Sequence, residues 1–267
     1  MLNFSRRVSF VVISWNEIER LQRCLDSLYE NIDLEKDEVV LVDNASQDST
    51  NETILQKYQW VRYLRLSENI GVGPARNRAI SLAQGKYIMT LDADAWLISS
   101  DPGSHIELEY NENKLLGGLA GTILNPDDTV QSSIRRYPKF YQPIAARVPF
   151  LKNLSFMKKE QKRHLMLDVN QETEQDNIHV DYMLGANQIF KKEVWAYLGG
   201  YDEKIFYGPE DCEFMYRVAQ IGLSNKRINR IIVKHEYQRR TRRFNRLLLK
   251  HLTGFVYMFR KHGNIVK

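Results

Sequence analysis

The stretch YIMTLDADAW (Tyr87–Trp96) begins as a buried β-strand and then sets two aspartates, Asp92 and Asp94, at its mouth. In an extended segment, residues two apart point to the same side, so both carboxylates face one point. Crowded there, they repel each other and lose hydration, and a cation relieves both penalties. Converging hard oxygen ligands suit Mg²⁺ or Mn²⁺. The plainer alternative is that the pair caps a turn and the helix after it.

Towards the N-terminus the chain alternates. VSFVVIS (Val8–Ser14), EVVLVD (Glu38–Asp43) and VRYLRL (Val61–Leu66) read as strands, the first a continuous β-branched run. Between them, Leu21, Cys24, Leu25 and Leu28 fall at helical spacing. Ser49 with Glu52 predicts a capping box, and ARNRAISLAQ predicts a helix stopped by Gly85. Such alternation predicts an α/β fold with a parallel sheet covered on both faces. Ligands of such sheets bind beyond the carboxyl ends of the strands, where Ser14, Asp43 and Asp92 all stand. Further on, LLGGLAGTIL reads as a strand and NPDDTV as a hairpin turn. Residues 137–180 read as an irregular insertion carrying a lid or substrate contacts.

The 267 residues, 43% hydrophobic, suffice for one large domain with a small appendage. No secretory leader or membrane span is expected, since charge interrupts every apolar run. Cys24 and Cys212 form no disulfide or metal-ligand pattern and are expected to pack in the core, so a cytoplasmic location is the default. The net charge of +5 is uneven. From Lys234 onward there are ten Lys/Arg and one acid, leaving the preceding residues at 28 bases against 32 acids. The basic tail therefore expects an anionic partner.

Other residues can serve the same cleft. Asp43 could accept from the imide N–H of a uracil or thymine, or else tighten its own loop. NIGVGPARN offers glycines, a helix N-terminus and the cations Arg76 and Arg78, a set that could cradle a diphosphate, although tight turning alone accounts for the glycines. Glu210 and Asp211 sit at a helix start, where acids are ordinary dipole partners. An Asp of modestly raised pKa there could instead take a proton from an acceptor hydroxyl. His235 ends the apolar run RIIVK and is either structural or a ligand for metal or phosphate.

Taken in order, VSFVVISWNEIERLQRCLDSL, VVLVDNASQDST, NIGVGPARNRAI, GKYIMTLDADA, the segment Met183–Gly222 and VKHE resemble family 2 glycosyltransferases of the GT-A fold. The resemblance implies a Rossmann-like, mostly parallel sheet with flanking helices and a C-terminal helical tail. It implies a domain over 1–236, divided into a nucleotide-binding half (1–100) and an acceptor half (101–236), with a basic amphipathic tail at 237–267. By it, Ser14, Asn16, Glu17, Asp43, Asn69, Gly71, Arg76, Asp92 and Ala93 bind the nucleotide sugar. Asp92, Asp94 and His235 hold a divalent cation, Mg²⁺ or Mn²⁺. Asp211 is the general base, with Glu210 beside it positioning the acceptor. The sequence departs from the pattern at Pro209 and is unmatched from Asn125 to Val180, which bears on the acceptor.

The implied reaction is inverting, metal-dependent transfer of a sugar from a UDP- or dTDP-linked donor to a glycan or lipid-linked glycan. The broad resemblance is to bacterial rhamnosyltransferase-like enzymes of cell-surface polysaccharide. Nucleic acid is not among the expected partners, and the oligomeric state is open, a homodimer included. A sugar-phosphate nucleotidyltransferase would want a basic, glycine-rich loop after the first strand, and ISWNEIE has none. A non-catalytic adaptor binding nucleic acid through the tail is the other competing reading. Arg239, Arg240, Arg242, Arg243 and Arg246, with Leu247–Leu249, Phe255, Val256 and Phe259, give the tail an apolar stripe beside a basic collar. That pattern fits a peripheral contact at the inner face of a membrane, or a stripe packed back on protein.

Overall fold

The apolar run of the first strand is continuous because helices cover both of its faces. Val8, Phe10 and Val12 meet Leu21, Cys24, Leu25 and Leu28 on one side, while Val11 joins Ala75, Ala79 and Ile80 on the other. The computed structural model describes residues 4–145, 147, 149–169, 171, 177–237 and 246–266. In chain order the strands are β1 (Arg6–Ser14), β2 (Glu38–Asp43), β3 (Arg62–Arg65), β4 (Gly85–Asp92), β5 (Ala95–Leu97), β6 (Leu116–Leu124), β7 (Ile134–Arg135), β8 (Ile178–Val180), β9 (Tyr182–Met183), β10 (Gln188–Lys191) and β11 (Ser224–His235). The helices are α1 (Ile18–Asn31), α2 (Thr50–Lys57), α3 (Val72–Leu82), α4 (Pro102–Glu112), α5 (Gln142–Ala145), α6 (Pro149–Lys152), α7 (Ser155–His164), α8 (Lys192–Leu198), α9 (Glu210–Gln220) and α10 (Arg246–His262).

Among the described residues, nine strands form one sheet in the order β3-β2-β1-β4-β10-β6-β11-β5, with β8 also on β11. The strands β3, β2, β1 and β4 are mutually parallel. Strand β10 is antiparallel to both β4 and β6, which makes β6 and its parallel neighbour β11 point the same way as β4. Six strands thus share one direction, and β10, β5 and β8 oppose it. The carboxyl ends of β1, β2 and β4 lie side by side, with Ser14 opposite Asp43 and Ile13 opposite Asp92.

Three local expectations are corrected. Ser49 precedes α2 but its side chain caps nothing; Asp48 does so instead, accepting from Thr50 N at 3.1 Å and, with its other oxygen, from Ile18 N at the start of α1. Gly85 does not stop α3, which ends at Ala83 in extended backbone, and Gly85 opens β4. Glycine is needed there because a Cβ would strike Ser9 of the adjacent strand. Residues 137–180, expected to be irregular, contain α5, α6, α7 and β8. The turn at NPDDTV is present, closed by Asn125 N to Thr129 O at 2.8 Å with Asp128 left-handed. Cys24 and Cys212 are both free and buried.

The tail helix packs on the body. Met258 is fully buried in the core beneath α9, with Ile265 beside it and Phe255, Phe259 and Val266 packed against the same cluster. Lys261 and His262 bond Glu213, and Tyr257 bonds Asp202. The stripe is thus mainly a core contact, with Leu249 and Val256 left exposed. Arg239, Arg240, Arg242 and Arg243 lie outside the described residues. We expect Met258→Ala to cost about 2–5 kcal/mol, as large-to-small core changes do. Urea unfolding of the full chain measures it, and an unchanged midpoint would mean the tail is not part of the fold.

Candidate active site

The two aspartates of the opening stretch meet a histidine brought by the sheet. His235 ends β11 opposite Ala95 of β5, and Glu236 N donates to Asp94 O at 2.9 Å. One ligand atom from each of Asp92, Asp94 and His235 lies within 4.8 Å of the others. His235 Nε2 is 3.2 Å from Asp94 Oδ1, and both side chains are nearly buried. Burial alone would lower the His235 pKa, but its hydrogen bond to Asp94 and the charges of Asp94 and Asp92 raise it.

The other imidazole nitrogen is fixed by a residue that sequence reasoning missed. Gln131 Nε2 donates to Asn125 Oδ1 (2.9 Å) and to His235 O (3.3 Å), which turns Gln131 Oε1 towards His235 Nδ1 at 2.8 Å. An acceptor there favours a proton on Nδ1, so that Nε2, once it gives up the proton it shares with Asp94, offers its lone pair to a cation. Two carboxylate oxygens and one imidazole nitrogen are a donor set suited to Mn²⁺ or Mg²⁺, so the residues present fit the group. Gln131 carries no motif of its own, and only the hairpin at Asn125–Thr129 brings it back to β11.

Arg76 was expected to face a diphosphate. Instead it is 1% exposed and joins two acids, NH2 to Asp92 Oδ1 at 2.7 Å and NH1 to Glu210 Oε1 at 3.1 Å. Its guanidinium lies so close to Gly185 that a Cβ there would overlap it. Arg78, the other proposed cation, pairs at the surface with Glu203. Glu210 is buried, with Oε2 unpartnered among the described residues. Burial and the charge of Asp211 push its pKa up to about 7 against the pull of Arg76.

Asp211 is half-buried. Its carboxylate accepts from Cys212 N at 2.7 Å and from Gly185 N at 3.3 Å. Burial raises its pKa, while those N–H groups, Arg76 and Arg135 draw it back. Arg135, on β7, was also missed by sequence reasoning; burial lowers its own pKa against the charges of Tyr182 and Asp211.

The remaining candidates lie in or beside the loops that follow the strands. Asp43 is fully buried and holds its own loop, accepting from Ser46 N at 2.8 Å and from Tyr63 OH at 3.2 Å. A base N–H reaching it would have to share those oxygens. Ser14 is buried at the end of β1, and no described group bonds its hydroxyl. Asn16, left-handed, donates its N–H to Ser46 Oγ and accepts from Gln47 N, while Glu17 leads into α1 half-buried. Asn69 Oδ1 accepts from Asn44 Nδ2 and Gly71 N. Gly71 is left-handed at φ +95°, and a Cβ there would overlap the Phe206 carbonyl. Ala93 packs in the core cluster at 4% exposure, which leaves its side chain no part in a nucleotide-sugar contact.

The model of the family described as Glycosyl transferase family 2 matches residues 9–159, more than half the chain. The chain belongs to that family. It is 24% identical over 275 residues to an N-acetylglucosaminyl-diphospho-decaprenol L-rhamnosyltransferase of Mycobacterium tuberculosis, covering 95% of this chain and 84% of that protein. It is 31% identical over 129 residues to the poly-β-1,6-N-acetyl-D-glucosamine synthase of Staphylococcus epidermidis, covering 48% of this chain but only 30% of that one. The crystal structure of GalNAc-T7 with UDP, GalNAc and Mn²⁺ superposes with a TM-score of 0.69 at 17% identity, over 96% of this chain and 48% of that one. The fold is GT-A, as expected. Glu210, Asp211 and His235 lie beyond the segment matched by the family model.

Two outcomes are expected. Gln131→Ala should weaken Mn²⁺ binding about 10–100-fold, the usual scale for removing an outer partner of a ligating histidine. Titration calorimetry measures it, and unchanged affinity with an intact circular dichroism spectrum would remove Gln131 from the site. The second concerns Glu210. A folded pKa near 7, above the ordinary 4.5, means its contribution to stability is full below about pH 4.5 and is lost as pH rises through 7. Glu210→Gln should flatten that fall, and urea midpoints at pH 5 and pH 8 for both proteins compare the slopes.

Proposed function

We propose that the protein transfers a sugar from a UDP- or dTDP-linked donor to a hydroxyl of a glycan or lipid-linked glycan, with inversion at the anomeric carbon. The observation that carries this reading is the bridge Asp92–Arg76–Glu210, which sets the candidate cation site beside the acidic pair on α9. Asp92, Asp94 and His235 would hold Mg²⁺ or Mn²⁺. When bound, the cation offsets the negative charge that gathers on the departing diphosphate.

The chain's own groups do the rest. Asp211 takes the proton of the acceptor hydroxyl. Its exposure reaches the cleft where that of Glu210 does not, and its raised pKa brings it nearer the proton it must accept. The Cys212 and Gly185 amides hold its carboxylate in one orientation. Glu210, tied to Arg76, stands behind it and sets the acceptor's approach. An oxocarbenium-like transition state, as in glycoside hydrolysis, then places charge between the base and the leaving group.

The UDP and Mn²⁺ in the GalNAc-T7 structure support the donor and cation classes. The name of the mycobacterial relative, that of a rhamnosyltransferase on a decaprenyl diphosphate acceptor, supports a lipid-linked glycan. The same cell-envelope setting suits the family resemblance to polysaccharide enzymes. A panel of nucleotide sugars, scored for metal-dependent donor hydrolysis, identifies the donor.

Asp92→Asn or Asp94→Asn should abolish both Mn²⁺ binding and turnover. Asp211→Asn should keep metal-dependent nucleotide binding and lose transfer by about 10²-fold or more. Collapse of nucleotide affinity in Asp211→Asn would instead make Asp211 a donor ligand, and full activity after verified metal removal would sink the cation's role.

A further inference from the structure

The segment 139–163, which the active site leaves unused, combines exposed rings with unpaired charge. It holds seven Lys/Arg and a single acid, Glu160. That acid is buried and bonded by Arg163, with Lys139 3.5 Å away. Lys158, Lys159 and Lys162 are exposed on α7, and among the described residues none of them forms an ion pair, although Lys162 lies near enough to Asp168 to lower its pKa. Phe150 is 75% exposed, Phe140 65% and Phe156 54%. These rings are not scattered. Tyr141 packs against both Phe140 (5.4 Å between centroids) and Phe156 (6.3 Å), and α5 and α6 both pack on α7. Solvated apolar clusters rimmed by charge mark an interaction surface.

We propose that this face of α5–α7 lies on an anionic lipid bilayer, the phenylalanines entering the headgroup–acyl boundary and the lysines facing lipid phosphates. Charge complementarity selects the occupant. A second copy packed through this same face would bring two net-positive surfaces together, which like charge opposes. A bilayer offers both an apolar layer for the rings and a negative surface for the ammonium groups. Helix α10 packs on α5, and His251 accepts from Arg147 NH2, so the tail adjoins this face through contacts of its own. No helix of the described residues is long and apolar enough to cross a membrane, which leaves attachment at the surface. The inference is independent of which sugar is transferred.

The test uses the full chain and sedimentation with vesicles of phosphatidylcholine, with and without phosphatidylglycerol. Binding is expected only to the anionic vesicles and should weaken as salt rises. Phe150→Ser with Phe156→Ser, and separately Lys158→Glu with Lys159→Glu and Lys162→Glu, should each weaken it by about tenfold or more. All variants should retain Mn²⁺ affinity, which shows the fold and cleft intact. No vesicle binding at low salt, or variants that bind as the parent does, would overturn the proposal. So would binding to an RNA or DNA duplex without binding to vesicles, or a solution dimer that the Phe150 and Phe156 changes dissociate.

Discussion

A single buried guanidinium decides how the two halves of the cleft are joined. Arg76 leaves water almost completely, a cost that only close pairing offsets, and it finds one carboxylate at the end of β4 and another at the start of α9. Removing one partner would leave the buried guanidinium with a single acid to offset its lost hydration. Its Nε has no partner among the described residues, so the position is held by two ion pairs and by the packing of Gly185. Thr90 Oγ1 donates to Gly185 O at 2.7 Å and so pins that backbone to β4. Asp92 and Glu210 are thus linked through one guanidinium, and Asp211 follows Glu210 directly on α9.

The bridge also sets the charge balance. Asp92, Asp94, Glu210 and Asp211 gather around one buried arginine, with Arg135 half-buried on β7. Arg76 satisfies one oxygen of Asp92 and one of Glu210, and leaves Asp94 to His235. The surplus is negative and lies on the Asp92–Asp94 side. Electrostatics alone thus favours a cation there, while burial and the charge of Asp211 raise the pKa of Glu210 against the pull of Arg76. The two acids of α9 differ in their surroundings: Glu210 is buried against Arg76, while Asp211 is half-buried and held by backbone amides.

Much of this was legible in the sequence wherever the signal was local. Strands β1, β2 and β4 were read nearly to the residue because each is an apolar run bounded by polar turns. The convergence of Asp92, Asp94 and His235 was legible because Asp92 and His235 each end such a run, Asp94 follows Asp92 two residues on, and strand ends converge by topology. Arg76 was legible as a cation but not as a buried one, since its partner Glu210 lies 134 residues away and no periodicity links them. The same holds for Gln131, whose hydrogen bond to His235 spans 104 residues. The capping box at Ser49 failed for a different reason. Asp48, one residue earlier, offers two oxygens where a serine offers one, and it ties α2 and α1 together. The tail's amphipathic pattern was real, but a stripe that packs on protein and one that lies on lipid look alike in sequence; the burial of Met258 separates them.

Register is the last constraint on the site. Strand β11 pairs with β5 so that His235 lies opposite Ala95, and with β6 over Ile232–Lys234 after an irregularity beyond Arg227. A slip of one residue would turn His235 to the other face and present Lys234 in its place. That lysine now bonds Asp128 at 2.7 Å, within the Asn125–Val130 turn, while Gln131 just beyond the turn holds His235. The hairpin thus reads the two faces of β11 at once, one residue with a carboxylate and the next with an amide. The third residue of the candidate cation site is placed by sheet pairing and held by a turn. A loop that could slide would leave the Asp92–Asp94 pair with no imidazole to complete it.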